Sequence, residues 1–295
     1  FVMSMPDSLY NNYKDFKNIE TLGQQDLYYS YLSFKLGHYD KAKGENITDP
    51  NAKMADVRLR QALAYGINVE EIAQAFYFGL RQEATSSIPP VFKKYFPKDL
   101  KGYPYNPEKA KQLLDEAGYK DVDGDGYRET PDGKPLKINF LFMSGAEVSE
   151  PIANYYIQNW KDVGLNVALN DGRLIEFNAF YDRLQEDDPA VEMYSAAWGV
   201  GSNPEPTGLY GKTAQFNLER WVNAKNDELL AKITSEDSFD ESFRAQAYKE
   251  WDENILEEAP AIPTSYRMEL FAVNKRVKNW DKRFVTDWDW CDLGL

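Results

Sequence analysis

Three short apolar runs decide the fold of this chain: LKINFLF (136–142), LNVAL (165–169) and VEMYSAAW (191–198). Apolar residues alternate in the first run, which is typical of a β-strand. Helices are predicted between the runs, over 147–163 and 174–185, because each stretch has helical length and the first ends at a glycine. Strands separated by such helices pair in parallel through right-handed crossovers. The sequence therefore predicts an α/β protein with a β-α-β-α-β core.

The third run continues into a loop rich in glycine and proline, AWGVGSNPEPTGLYG (197–211). Open α/β sheets bind ligands at the carboxyl ends of their strands, which is where this loop begins. Glycine lets a backbone approach a ligand closely, and tryptophan offers a flat apolar wall. Composition alone leaves two interpretations open, a binding loop and an ordinary surface loop with a core tryptophan.

Outside the core, the chain carries further predicted elements. A helix begins near Met54 with Asp56 as its cap, and another begins at Pro107 with Asn106 as its cap. The remaining predicted helices cover 69–78, 227–233 and 240–258, the predicted strands cover 27–36, 262–266 and 270–273, and 86–97 is predicted to be a loop. The stretch WDKRFVTDWDWCDLGL (280–295) holds three tryptophans and shows no helical pattern.

Composition excludes several classes of protein. The 295 residues suffice for one large domain or two ordinary ones, and the net charge of −14 argues against nucleic acid or an anionic membrane surface as a partner. No long apolar run is present, so no transmembrane helix is predicted. The 20 tyrosines and 7 tryptophans exceed what a core needs. Such a surplus is typical of surfaces that hold peptides or sugars.

Cysteine and histidine are almost absent. Cys291 and His38 are the single residues of their types, which argues against a disulfide within the chain and against zinc, haem or iron–sulfur sites. Phosphate-binding loops are also missing from the sequence. No cofactor is therefore predicted to be required.

One acidic run, DVDGDGYRETPD (121–132), resembles a calcium-binding loop. The predicted ligands are Asp121, Asp123, Asp125, Tyr127 through its carbonyl, Glu129 and Asp132. Two features depart from the usual loop, because the last ligand is Asp rather than Glu and because a strand follows instead of a helix. A solvated acidic turn is the alternative, and a bound calcium ion would be structural.

The acidic pairs Asp187–Asp188 and Glu257–Glu258 could suggest the carboxylates of a glycoside hydrolase. Adjacent side chains usually point apart, so solvated surfaces are the favoured interpretation of both pairs.

Five segments, taken in order, resemble one family. They are DVRLRQALAYGIN (56–68), PYNPEKAKQLLDEAGY (104–119), WKDVGLNV (160–167), AAWGVGSNPEP (196–206), and EEAPAIPTSY (257–266) followed by VKNW (277–280). Together they resemble the large peptide-binding components of ABC importers, and the loop most resembles the oligopeptide-binding lipoproteins of Gram-positive bacteria.

The resemblance implies a two-lobed fold of the periplasmic-binding-protein type (type II). Residues 1–53 would be an entry segment with the inter-lobe crossover, 54–265 the C-terminal ligand-binding lobe, and 266–295 a segment returning toward the N-terminal lobe. The N-terminal half, with the lipid-anchor cysteine, would be absent from this chain.

The resemblance also implies a function. The protein would be a monomeric, extracytoplasmic solute-binding lipoprotein of the cell surface, which captures oligopeptides and delivers them to the permease without being an enzyme. Its contact with the membrane would be through the lipid anchor alone. The alternatives are a member of the same superfamily that binds a sugar or metal chelate, a peptide-pheromone receptor and, less favoured, a glycoside hydrolase.

The implied ligand contacts are Trp198, Gly199, Val200, Gly201, Ser202, Asn203 and Tyr266. Trp198 falls on the tryptophan of the family's loop, and Tyr266 falls near a tyrosine of its cleft. Gly201 stands where enteric relatives carry an aspartate that pairs with the amino terminus of the peptide. We therefore expect contacts from the backbone and from Trp198 instead of a salt bridge.

Overall fold

The structure is a computed structural model that describes residues 2–5 and 9–278. The predicted tryptophan-rich stretch 280–295, Cys291 and the last two residues of VKNW lie outside the described residues.

The strands and helices are named here in chain order. The strands are β1 Val2–Met5, β2 Ile19–Phe34, β3 Gly37–Asp40, β4 Glu45–Thr48, β5 Arg81–Glu83, β6 Lys137–Leu141, β7 Asn166–Leu169, β8 Met193–Gly199 and β9 Ala261–Asn274. The helices are α1 Tyr10–Tyr13, α2 Val57–Tyr65, α3 Val69–Tyr77, α4 Pro107–Ala117, α5 Ser149–Asp162, α6 Phe177–Gln185, α7 Thr207–Tyr210, α8 Ala224–Ile233 and α9 Glu241–Glu258.

The predicted β-α-β-α-β core is confirmed. Strand β6 pairs in parallel with both β7 and β8, while α5 and α6 form the connections. Phe140 of β6 packs against Trp160 of α5, with ring centroids 5.1 Å apart. Tyr194 of β8 packs against Phe180 of α6 at 6.1 Å. Phe140 is paired with Met193, so its neighbour Tyr194 points to the opposite face. The two helices therefore cover opposite faces of the sheet.

The predicted helix ends are confirmed where capping is local. The Asp56 side chain accepts a hydrogen bond from the Arg58 N–H, and the Asn106 side chain accepts one from the Lys109 N–H. Gly118 follows α4 with a φ of 89°, which favours glycine. These ends follow the sequence because each cap contacts only its own first or last turn.

Long antiparallel strands join the parallel core. Seven of the nine described strands form one sheet, in the order β1-β9-β2-β8-β6-β7, with β5 paired to β9. Strand β2 lies between β8 and β9 and is antiparallel to both. The sheet is therefore mixed, and its antiparallel half was not predicted.

The prediction of two strands over 262–266 and 270–273 is wrong in one respect, because β9 is a single strand from Ala261 to Asn274. The polar residues between the two predicted strands favoured a break in the strand. They instead continue the ladder with β2, where Met268 faces Gln25 and Glu269 faces Gln24. Both faces of the strand are partly exposed at this point, so polar side chains are tolerated in extended backbone.

The sheet draws strands from all three predicted parts of the chain, and β9 crosses the proposed boundary at residue 265. The division into 1–53, 54–265 and 266–295 stays a prediction. Among the described residues, none of the helices combines the length and apolar character that a membrane span requires.

Candidate functional site

The site lies at the point in the parallel part of the sheet where the order of the strands reverses. From β6 the chain passes through α5 to β7 on one side, and then through α6 to β8 on the other side. The connection that leaves β6 therefore runs toward β7, whereas the one that leaves β8 runs the other way across the sheet, toward β9. A crevice at such a switch point is where open α/β sheets bind ligands.

A cavity of about 310 Å³ lies at this point. Its floor includes a row of three small side chains, because Ser30 of β2 is paired with Ala197 of β8 on one side and with Ser265 of β9 on the other. Directly paired residues share a face of the sheet, so the three side chains line the cavity together. Their small size leaves the space that the cavity occupies.

The walls of the cavity come from two helices and from the segment after β6. Ile72 and Tyr77 of α3 line one side, Ile152 and Tyr156 of α5 line another, and Phe142 follows β6. The lining is mainly apolar but includes Arg81, whose Cζ atom lies 4.4 Å from the centroid of the Tyr77 ring. Such a lining suits an apolar group that carries few polar atoms.

Sequence reasoning missed this cavity. The sequence does contain one signal for it, because small residues interrupt aromatic strands at Ser30 and at Ala197. It points to a site only when the register places the two residues side by side, which the sequence does not show.

The predicted ligand residues occupy both faces of the sheet. Trp198 is half-buried against Phe216, with ring centroids 5.3 Å apart. It is paired with Tyr29, which is paired in turn with Tyr266, so these three residues form a row on the face opposite the cavity floor. Gly199 lies on the same face as Ala197. A Cβ atom at Gly199 would lie 2.8 Å from the Tyr28 ring, so a side chain at this position would displace that ring.

The tip of the loop after β8 is exposed, whereas its two ends are anchored. The Val200 N–H donates to the Leu27 carbonyl at 3.1 Å. Gly201 and Ser202 are exposed, and Gly201 has a φ of 62° with open space around it. The Asn203 carboxamide oxygen accepts from Arg244 Nη2 at 2.8 Å. The backbone of Gly201 and Ser202 is thus accessible on an otherwise anchored loop.

Tyr266 supports a neighbouring loop. It is 2% exposed, and its hydroxyl accepts from the backbone N–H groups of Thr85 and Ser86 and donates to the Ser86 carbonyl. These bonds use the full capacity of a tyrosine hydroxyl. Burial raises the pKa of this hydroxyl, so it stays protonated. Its predicted contact with a ligand stays a prediction.

A buried carboxyl group holds the same loop and was not predicted. Asp252 of α9 accepts from the Ser86 hydroxyl and, at 3.1 Å, from the Ser87 N–H. Burial raises the pKa of Asp252 from 3.8 to about 7, and these hydrogen bonds oppose the rise. The carboxyl therefore titrates near neutral pH inside the protein.

The acidic loop brings together part of its predicted calcium ligands. Asp121, Asp123 and Glu129 each offer a carboxylate oxygen, and these oxygens lie within 4.8 Å of one another. Glu129 is buried and accepts from the Val122 N–H. Asp125 instead accepts from the Tyr127 N–H, and Asp132 pairs with Lys134 at 2.6 Å. Calcium binding by the predicted set stays a prediction.

Comparisons with known proteins give a consistent result. The family model described as bacterial extracellular solute-binding proteins, family 5 Middle, matches residues 1–219. The oligopeptide-binding protein OppA of Lactococcus lactis subsp. cremoris (strain SK11) is 33% identical over 298 residues, covering 100% of this chain and 50% of that protein. The chain thus spans about half the length of the curated relatives it matches.

Two solved structures agree with this likeness. Lactococcal OppA, complexed with an endogenous peptide in the closed conformation, has a TM-score of 0.90 at 33% identity and covers 99% of this chain and 54% of that one. AppA of Bacillus subtilis, in complex with a nonapeptide, has a TM-score of 0.76 at 22% identity and covers 94% and 52% respectively. These structures confirm the periplasmic-binding-protein-like α/β fold.

Proposed function

Because the chain belongs to the bacterial extracellular solute-binding proteins of family 5, we propose that it forms part of the peptide-binding cleft of an oligopeptide receptor for an ABC importer. The observation that carries this proposal is the cavity at the switch point, whose floor includes Ala197 of β8, the strand that continues into a loop with accessible backbone. The likeness to an OppA that holds a peptide supports a peptide as the ligand.

The geometry suits a receptor that accepts many peptides. An extended peptide offers N–H and C=O groups at every residue, and exposed backbone such as that of Gly201 and Ser202 can bind them whatever the side chains are. The apolar cavity would receive one ligand side chain. Since position 201 is a glycine, we propose that the amino terminus of the peptide is bound without a salt bridge to this position.

One of the two acidic pairs, Asp187–Asp188, is engaged in structural ion pairs. Asp187 pairs with Lys35 and, at 2.7 Å, with Arg220, and Asp188 pairs with Arg183 at 3.1 Å. These pairs support a binding role over the hydrolase alternative. We propose that the protein binds its ligand without turnover, works as a monomer with permease subunits, and is held at the cell surface as a lipoprotein.

Calorimetric titration of the full-length protein tests the proposal. The ligands are a set of hexapeptides, the same peptides with an acetylated amino terminus, and an oligosaccharide. We expect saturable binding of the peptides and no binding of the sugar. Acetylation should weaken peptide binding less than about threefold, because we propose no salt bridge to the amino terminus. Binding of the sugar alone would contradict the proposal, and a large loss on acetylation would contradict the mode of binding.

A further inference from the structure

Arg244, near the start of α9, reaches the loop after β8. Its Nη2 atom donates to the Asn203 carboxamide oxygen at 2.8 Å, and the Tyr248 hydroxyl lies 3.4 Å from the same oxygen. Asn203 is exposed, and Pro204 immediately after it is buried. The contact therefore restrains the loop at the point where it leaves solvent.

Two tyrosine rings hold the guanidinium group in place. The Arg244 Cζ atom lies 5.0 Å from the centroid of Tyr95 and 5.6 Å from that of Tyr248. The two rings are themselves 5.1 Å apart. Tyr95 belongs to the loop 86–97, so Arg244 joins three segments that are distant in sequence. A planar guanidinium can stack on a ring and donate sideways at once, which an ammonium group does less well.

The free part of the loop lies between two anchors. The Val200 N–H bond to Leu27 restrains one end, and the Arg244 bond to Asn203 restrains the other. Between them Gly201 and Ser202 are both exposed, and among the described residues nothing lies within 4 Å of a Cβ placed at Gly201. Loss of one anchor would let this span sample many conformations, and binding would then have to order it.

We propose that Arg244 is a positioning residue for peptide binding: through Asn203 it holds the accessible backbone of Gly201 and Ser202 in place. The proposal rests on the proposed function, because it concerns the loop that is expected to contact the peptide. Arg244 itself does not need to touch the ligand. Arg244 acts by keeping the loop ordered in the free protein.

The experiment compares four variants of the full-length protein: Arg244→Ala, Arg244→Lys, Asn203→Ala and the double variant Arg244→Ala/Asn203→Ala. Lys249→Ala is the matched control, because Lys249 is a cation of the same helix whose ion pair is with Asp99. Peptide affinity is measured by calorimetry, and amide hydrogen exchange is measured by mass spectrometry. The melting temperature of each variant is also measured.

We expect Arg244→Ala and Asn203→Ala each to weaken peptide binding about tenfold, and the double variant to weaken it no further, because both remove the same anchor. Arg244→Lys should be intermediate and Lys249→Ala within about twofold of the parent protein. Exchange should rise at residues 201–203 in the anchor variants and stay unchanged in β8.

Several outcomes would overturn the proposal. Additive losses in the double variant would show that the two side chains act separately. Faster exchange along the whole of α9 would show a general structural role, and unchanged exchange at 201–203 would show that the anchor does not order the loop. If the parent protein binds no peptide, the proposed function fails, whereas the exchange data still decide whether Arg244 orders the loop.

Discussion

Small side chains make the cavity, and one of them can be enlarged without disturbing the core. Ala197 is exposed on the cavity floor, although it lies in a strand whose neighbours Ala196 and Tyr194 are buried. An exposed alanine on a floor can be replaced by leucine at little cost in stability, since the new side chain extends into open space.

We expect Ala197→Leu to fill part of the cavity and to change the ligand preference. Peptides with a large apolar side chain should bind about tenfold more weakly, whereas peptides of glycine and alanine should bind within about threefold of the parent affinity. Calorimetry with both peptide sets measures this, and Ala42→Leu, at an exposed turn outside the cavity, is the control. Equal losses for both sets would contradict the assignment of the cavity to a side chain.

Asp252 predicts a pH dependence of stability. Its pKa in the folded protein is about 7, above the ordinary value of 3.8, because burial disfavours the charged carboxylate. The protonated carboxyl therefore favours folding, fully below about pH 4, and this contribution is lost as the pH rises through 7. The full effect is about 4 kcal/mol, at 1.36 kcal/mol for each of about three pKa units.

We expect Asp252→Asn to remove most of this pH dependence, because the amide stays neutral and can still bond to Ser86 and Ser87. Urea unfolding between pH 5 and pH 8.5 should show the free energy of unfolding falling less steeply in the variant than in the parent protein. Glu257→Gln, at an exposed position of the same helix, should keep the parent slope. A parallel decline in Asp252→Asn and the parent would show that other groups govern the pH dependence.

At the scale of elements, the acidic loop between α4 and β6 matches only part of the ligand set that its motif predicts. The spacing of DVDGDGYRETPD suggested six ligands, and the structure gathers carboxylates from Asp121, Asp123 and Glu129. Asp132 was assigned by its spacing, but a turn places it beside Lys134. Spacing alone cannot show this, because the path of the chain after Glu129 depends on the strand that follows.

Calcium is expected to raise the melting temperature if the three carboxylates hold it. A ligand at ten times its Kd adds about 1.4 kcal/mol, which corresponds to roughly 3–6 °C in a protein of this size. Differential scanning fluorimetry with millimolar calcium, followed by EGTA, measures the shift. Asp121→Asn should abolish it, and Asp132→Asn should leave it unchanged, since Asp132 lies outside the cluster. No shift in the parent protein would reject the site.

At the scale of the whole molecule, β2 links two regions of unequal packing. Its second half, 28–34, lies between β8 and β9 and contributes to the main core. Within the part of the chain that the structure describes, its first half, 19–25, pairs with β9 alone, and the buried residues around it form clusters of three, such as Leu22, Phe271 and Val273. Few buried contacts and one open edge favour local opening.

We expect the two halves of β2 to differ in hydrogen exchange. In the 295-residue chain, amides of 19–25 should exchange at least about tenfold faster than those of 29–34, because they open without disrupting the main core. Exchange followed by peptide mass spectrometry measures both halves in one sample, so each serves as the reference for the other. Equal protection along β2 would show that the strand opens as a single unit.

The sequence by itself determined the elements whose causes are local. The alternation in 136–142, the caps Asp56 and Asn106 and the stop at Gly118 act within a few residues, so the parallel core and its helices could be predicted. The row Ser30, Ala197 and Ser265, the burial of Asp252 and the contact between Arg244 and Asn203 were decided only by the tertiary structure. Each joins residues that are far apart in the chain, and their contact depends on the register and packing of the complete sheet.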